Sequence, residues 1–375
     1  MSTGALDGIV VADFSRVLAG PYTTMMLGDL GAEVIKVERP GTGDDTRAWG
    51  PPFDGAGNAT YFNSVNRNKT SLTLDLTSES GRAHALQLVS RADVVVENFR
   101  SGTMERLGLG YDDIRHVKPD VIYCSITGFG HDDGAALPGY DLLVQAVGGL
   151  MSITGPRPGE PTKVGVALVD VLTGLHALAG ILAALNYRTR TGEGQRVDTN
   201  LLTCLLSSLV NQASGYLGAD VVPAIMGNRH PSIAPYEVFD TGDRPIALTV
   251  GTDRQFQQLC AVLGLPNTAA DERFRTNTSR VANREVLTEQ LAAGLSTAGA
   301  DVWFERLSAV GVPVGPINDI AEAVKFASRL GLDPVVNVPG SAVPQVANPV
   351  SLSASPVTYR SGPPGLARDE VTAAP

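Results

Sequence analysis

The chain has 375 residues, 43% of them hydrophobic and 18% charged, with a formal charge of −10 at pH 7. This composition excludes a largely disordered chain, allows more than one domain, and argues against nucleic acid or an anionic membrane as a partner, since no Lys/Arg run offsets the acidic balance. Cys124, Cys204 and Cys260 are too scattered for a disulfide framework or a cysteine-rich zinc site. The opening Met1 to Gly8 lacks a basic segment followed by an apolar one, so a cytoplasmic, untargeted protein is expected.

In chain order, Ile9-Val-Val-Ala-Asp-Phe reads as a buried strand, Pro21 to Gly31 as a helix, and Glu33-Val-Ile-Lys-Val-Glu as a second strand. The order recurs in a strand from Ser71 to Leu76, an amphipathic helix from Ser78 to Ser90 and a buried strand from Asp93 to Glu97. Asp113 to Val117 then leads into another strand from Val121 to Ile126. Alternating strands and helices predict an α/β domain with a mainly parallel sheet. Tyr140 to Tyr216 is richer in helical patterns, interrupted by the polar turn Arg188 to Arg196 and the strand-like Val197-Asp-Thr.

The breaker-rich Pro223 to Pro235 marks a domain junction. Beyond it, a strand at Pro245 to Val250 and helices around Arg254–Leu263, Arg284–Ala293 and Ala300–Val310 describe a smaller α+β domain. The expected organisation is therefore a large α/β domain over 1–222, a small domain with linkers over 223–332, and an extended stretch over 333–375 that packs back onto the protein.

Known nucleotide motifs are absent. Gly41-Thr-Gly43 and Gly128-Phe-Gly130 do not complete G-x-G-x-x-G, and there is neither a Walker phosphate loop nor a G-x-S-x-G elbow. The five histidines form no metal-binding spacing; His131-Asp132-Asp133 reads as a polar loop, His176 as a helix-packing residue, and no metal is expected. Arg39, Arg47, Arg100 and Arg106 fall after strand or helix ends, where α/β proteins place ligands, and anionic phosphates would give them a shared purpose.

Asp170 stands out as the only carboxylate between Val164 and Leu185, a stretch otherwise apolar or small. Burying a carboxylate costs several kcal/mol or raises its pKa, so it either caps the helix that follows or acts as a nucleophile whose charge the helix end stabilises. The two readings are compatible.

Several segments together resemble the class III CoA-transferases: Asp13-Phe-Ser-Arg-Val-Leu-Ala-Gly-Pro-Tyr, Gly31 to Asp44, Asn66-Arg-Asn-Lys-Thr-Ser, Ala92 to Gly102, Gly139-Tyr-Asp, Gly165-Val-Ala-Leu-Val-Asp, Thr191-Gly-Glu-Gly-Gln and Gly311-Val-Pro-Val-Gly-Pro-Ile. The resemblance implies a Rossmann-like large domain plus a small domain in an interlocked homodimer. It further implies coenzyme A or acyl-CoA as substrate, a carboxylic acid acceptor, and aspartyl-anhydride and aspartyl-CoA intermediates. It aligns Asp170 with the catalytic aspartate, and Val17, Arg39, Leu74, Asn98, Phe99, Arg106 and Tyr140 with positions lining the CoA site. Core packing is an equal reading of Leu74 and Phe99 on residue type alone.

Racemases of similar fold carry histidine where this chain has Tyr140, which disfavours racemisation or isomerisation; a catalytically silent CoA-binding subunit is the other alternative. The Gly-rich loop of some transferases is not apparent in Tyr236 to Pro245. The segments Ile153-Thr-Gly-Pro, Ser232-Ile-Ala-Pro-Tyr and Thr276 to Val281 resemble the branch that moves CoA from succinyl-CoA to dicarboxylates such as glutarate or hydroxymethylglutarate.

Overall fold

The structure, a computed structural model, describes residues 4–367. It divides into two compact units, the first comprising the chain up to Leu150, Lys163–Val222 and the return from Gly331, the second Met151–Thr162 and Pro223–Leu330. The stretch 151–162, assigned to the large domain by a boundary at 222, thus belongs with the second unit.

The first unit contains β1 (Val10–Asp13), α1 (Ala19–Asp29), β2 (Glu33–Glu38), α2 (Thr60–Asn63), β3 (Lys69–Thr73), α3 (Glu79–Arg91), β4 (Val94–Glu97), α4 (Thr103–Arg106), α5 (Tyr111–Val117), β5 (Ile122–Thr127) and α6 (Asp141–Val147). After the short α7 (Leu150–Ile153) follow α8 (Leu168–Thr191), β6 (Gln195–Asn200), α9 (Leu201–Ser208) and α10 (Val210–Ala219). The six strands form one parallel sheet in the order β3-β2-β1-β4-β5-β6. This is the doubly wound arrangement, with its change of direction between β1 and β4.

Alternation along each strand feeds two cores. Val94 and Val96 of β4 and Ile122 and Cys124 of β5 join Leu27 of α1 and Ala177 and Ile181 of α8 on one face. Val95 and Tyr123, from between them, join Leu88 and Val89 of α3 and Ile114 of α5 on the other.

By length and apolar composition α8 could cross a membrane. Its buried residues Val169, Thr173, Ala177, Ile181 and Ala184 instead recur at helical spacing, and the four apolar ones pack into the first core, as one face of a core helix does. Gly174 lets α1 come close, since a β-carbon there would lie 2.8 Å from the Ala19 carbonyl oxygen. The helix ends at Gly192, whose φ of 76° suits glycine.

Over residues 331–367 the chain has no helix and forms a short antiparallel pair, Val335–Val336 with Gln345–Val346. It is held to the same unit by polar contacts. Arg360 donates to the carbonyls of Gly28, Gly31 and Ala32, and Asn348 reaches the buried Asp29–Arg67 pair.

The second unit builds a three-stranded antiparallel sheet from β7 (Tyr236–Phe239), β8 (Ile246–Thr249) and β9 (Val314–Pro316), in the order β7-β8-β9. Its own core joins Phe239, Ile246, Leu248, Phe256, Phe274 and Trp303. The helix Asp253–Leu263 starts at a Thr252/Gln255 capping box.

Candidate active site

A pocket opens in the first unit beyond the carboxyl ends of the parallel strands, where such sheets bind ligands. The loops after β1, β4 and β5 and the start of α8 line it, bringing together Arg16, Val17, Asn98, Phe99, Tyr140 and Asp170. Asn98 joins two of these loops: its side-chain oxygen accepts the Arg16 N–H at 2.8 Å and its amide donates to the Arg16 carbonyl at 2.7 Å. The Arg16 guanidinium lies 4.7 Å from the Phe99 ring centroid, and the Phe99 N–H donates to Glu97.

Asp170 is the third residue of α8, and its carboxylate is not the helix cap. Ala167 occupies the cap position without a side-chain bond, and Asp141, at the start of α6, accepts the Val169 N–H at 2.8 Å and the more distant Asp170 N–H at 3.4 Å. A carboxylate 29 residues earlier therefore satisfies the helix end, leaving the Asp170 carboxylate free of hydrogen-bond partners among the described residues. Burial, reinforced by the nearby negative Asp141, pushes the Asp170 pKa up to about 7. Its place in the first turn of a 24-residue helix favours the anion once it forms. Tyr61 feels the same field: burial and the charge of Asp170 raise its hydroxyl to about 12.

The loop after β5 and the entry to α6 meet at two glycines. A β-carbon on Gly139 would lie 2.4 Å from the Gly128 α-carbon, and one on Gly128 would lie 2.5 Å from that of Gly139. Neither backbone can yield as a flexible side chain would. Gly139→Ala is expected to push Tyr140 and the Asp141 cap out of place and to lower the activity of the site by about 10²-fold, while Gly165→Ala, where a β-carbon meets nothing within 4 Å, changes it less than about twofold. Initial-rate kinetics on the two variants checks the contrast.

Of the aligned positions, Val17, Asn98, Phe99, Tyr140 and Asp170 line the pocket, and Leu74, Arg39 and Arg106 do not. Leu74 is buried in the second core, as its residue type alone allowed. Arg39 is exposed and pairs with Asp45, a pocket residue that also lies 3.6 Å from Arg16. Arg106 is exposed and donates to Thr103.

Among the other arginines singled out in the sequence, Arg47 is committed to Glu38 through two 2.7 Å bonds and stacks on Phe62, whereas Arg100 is an exposed pocket residue. His131 contacts Ser101 at 3.3 Å and Asp198 at 3.0 Å, tying the loop after β5 to its neighbours. His176 is exposed, not packed in the helix interface. Sequence reasoning passed over Asp141 and Arg16 and weighed Gly128 only as part of a nucleotide motif. Asp141 and Arg16 stood inside quoted segments, but only through-space contacts reveal what they do.

Known proteins share this arrangement over nearly the whole chain. The profile of CoA-transferase family III matches residues 6–370. The chain belongs to that family. This family III CoA-transferase is 42% identical to the succinate–glutarate CoA-transferase of Agrobacterium fabrum, over 96% of this chain and 92% of that protein. It is 44% identical to the human succinyl-CoA:glutarate CoA-transferase, over 84% of this chain and 72% of that one.

A solved CaiB/BaiF family protein from Brucella suis superposes with a TM-score of 0.89 at 42% identity, covering 99% and 98% of the two chains. As a CoA-transferase, the protein is an enzyme that takes CoA thioesters as substrates. No group of three or more His, Cys, Asp or Glu side chains arranged to hold a metal ion occurs among the described residues.

Proposed function

We propose that this CoA-transferase moves CoA from succinyl-CoA to a dicarboxylate of the glutarate type, with Asp170 as the nucleophile. The observation that carries the mechanism is a carboxylate in the first turn of α8, in a strand-end pocket, without hydrogen-bond partners and desolvated enough for its pKa to reach about 7. A poorly solvated carboxylate is a better nucleophile than one held by hydrogen bonds. The succinyl and glutarate assignments rest on the names of the relatives.

The Asp170 carboxylate attacks the thioester carbonyl, forming a mixed acyl-aspartyl anhydride and releasing CoA thiolate. The thiolate attacks the aspartyl carbonyl of that anhydride, expelling the donor carboxylate and leaving an aspartyl-CoA thioester. The acceptor carboxylate attacks this thioester, giving a second anhydride and free thiolate. Attack of the thiolate on the acceptor's acyl carbonyl yields the new acyl-CoA and restores Asp170. One thioester replaces another, so the sequence needs neither net proton transfer nor ATP. Arg16 and Arg100 offer positive charge to CoA phosphates and Phe99 a flat apolar face. Arg39 and Arg106, from the aligned set, would act on the same phosphates from outside this pocket.

Tyr140 in place of histidine favours transfer over racemisation. A homodimer, which the sequence resemblance implies, fits the exposed apolar side chains Leu206, Val210, Leu217 and Val222, which a second copy would cover.

The pH dependence tests the nucleophile. Asp170 reacts as the anion, so kcat/KM for succinyl-CoA with glutarate should rise about tenfold per pH unit below pH 7 and level off above it. Asp141→Asn removes the like charge and lowers the Asp170 pKa, moving the rising limb to lower pH. A profile flat from pH 5 to 8 in both proteins would contradict this role for Asp170.

A further inference from the structure

The loop between β1 and α1 reaches the pocket in a conformation its sequence resists. Val17, a β-branched residue, has φ = 70°, in the left-handed region where such side chains are strained. Conformations of this kind persist only where the surroundings fix them. Here three contacts hold consecutive residues. The Lys36 ammonium donates to the Ser15 carbonyl at 2.9 Å, Asn98 grips both backbone groups of Arg16, and the Asp44 carboxylate accepts the Val17 N–H at 3.3 Å.

Lys36 and Asp44 are themselves paired at 2.9 Å with both side chains fully buried. Asp44 also accepts the N–H and hydroxyl of Thr46, starting the 3₁₀ turn Asp45–Ala48 that carries the pocket residue Asp45. Burial alone would raise the Asp44 carboxyl, but Lys36 and the Thr46 bonds keep it below its usual range, as the anion.

Neither charge lines the pocket. Lys36 shares its face of β2 with Val34 and Glu38 and lies between Asp13 of β1 and Ser71 of β3, and a well-packed apolar pair in place of two fully buried charges would avoid the desolvation penalty of an ion pair. Stability therefore does not account for the pair, whereas the geometry of the pocket loop does.

We infer that Lys36 and Asp44 are positioning residues for acyl-CoA binding, holding the Ser15–Val17 backbone in its strained form so that this wall of the Asp170 pocket is set before substrate arrives. The inference rests on the CoA-transferase reading of this pocket and adds to it a buried ion pair that acts through the loop.

The test is a thermodynamic cycle on coenzyme A affinity by titration calorimetry, using the full chain, Val17→Gly, Lys36→Met/Asp44→Ala and the triple variant. Removing both charges avoids leaving one buried without a partner. The Lys36→Met/Asp44→Ala protein is expected to bind coenzyme A about tenfold more weakly, with kcat at saturating substrate changed less than about threefold. Val17→Gly, which removes the strain, is expected to recover most of that loss in the double variant while giving no gain in the wild type.

A general loss of stability would not be repaired by glycine at this one position. Equal Val17→Gly factors in both backgrounds, or wild-type affinity in Lys36→Met/Asp44→Ala, would overturn the proposal. If the double variant does not fold, the same cycle with Lys36→Gln/Asp44→Asn, which keeps the side-chain volumes and likewise leaves no charge unpaired, decides by the same comparison. Absence of CoA transfer by the wild type would instead overturn the parent reading, and transfer with uncoupled factors would overturn only the positioning role.

Discussion

Replacing Asp170 by asparagine is expected to lower CoA transfer by about 10⁴-fold or more and, at pH 8, to make the protein more stable. The first effect follows from the proposed nucleophilic role of Asp170, with pocket shape and CoA contacts unchanged, so affinity for coenzyme A should change little. The second follows from linkage. The Asp170 pKa rises from 3.8 to about 7 on folding, through burial and then Asp141. The folded state thus prefers the protonated acid, and stability is lost as pH climbs from about 4 to 7 because the unfolded chain ionises first.

Asparagine does not ionise, so the variant should unfold at a higher temperature than wild type at pH 8, with the gap closing near pH 4. Scanning calorimetry at the two pH values measures this. A residue kept at a cost in stability and indispensable for turnover is the pattern of a functional group, not of a structural cap.

Lys69→Met is expected to destabilise the first unit by about 3–5 kcal/mol, the usual cost of removing one partner from a buried ion pair. Lys69 Nζ, fully buried at the start of the edge strand β3, reaches Asp13 Oδ2 at 3.1 Å and the Pro21 carbonyl and Asn66 Oδ1 at 2.9 Å each. Asp13 also accepts from Ser15 and Thr24. Burial by itself would raise the Asp13 carboxyl; Lys69, Lys36 and the two hydroxyls hold it below its usual range.

Its contribution to stability is therefore complete above about pH 4 and disappears as pH falls through the lowered folded value. Without Lys69 the Asp13 anion loses its closest compensating charge. Urea unfolding at pH 7 should show the full loss, and Lys69→Met/Asp13→Asn should recover part of it, because no charge is then left unpaired. A loss below about 1 kcal/mol would mean that water reaches the pair.

The sheet was legible because its signals are local. Glu33–Glu38 was read with both ends correct, since the β-branched Val34, Ile35 and Val37 fill its middle and Gly31 and Pro40 bracket it. The final strand was recognised only from Val197, though it starts at Gln195, because Gln195 and Arg196 are polar residues that resemble the preceding turn. Asp170 could be picked out by contrast with its neighbours.

What caps its helix could not, because Asp141 lies 29 residues away and acts through a contact that exists only after folding. The same limit applies to Leu74, whose residue type fits a pocket wall or a core equally well until the fold puts it beside Ile35 and Val37. Lys36 sits within a strand that was read correctly, yet nothing in a strand pattern shows that its ammonium reaches a loop at the pocket. The stretch 151–162 shows the converse problem: its breakers, Gly155-Pro-Arg-Pro-Gly-Glu-Pro, interrupt the helical pattern without showing which unit the segment joins.

The most direct test of the central claim is peptide-resolved mass spectrometry of the protein after incubation with succinyl-CoA and trapping with hydroxylamine or borohydride, beside an Asp170→Ala control. The mechanism requires a modification on the peptide bearing Asp170 that is absent from the control. Measurable transfer of CoA to glutarate with no trapped species at Asp170, or with the same modification in the Asp170→Ala protein, would contradict it.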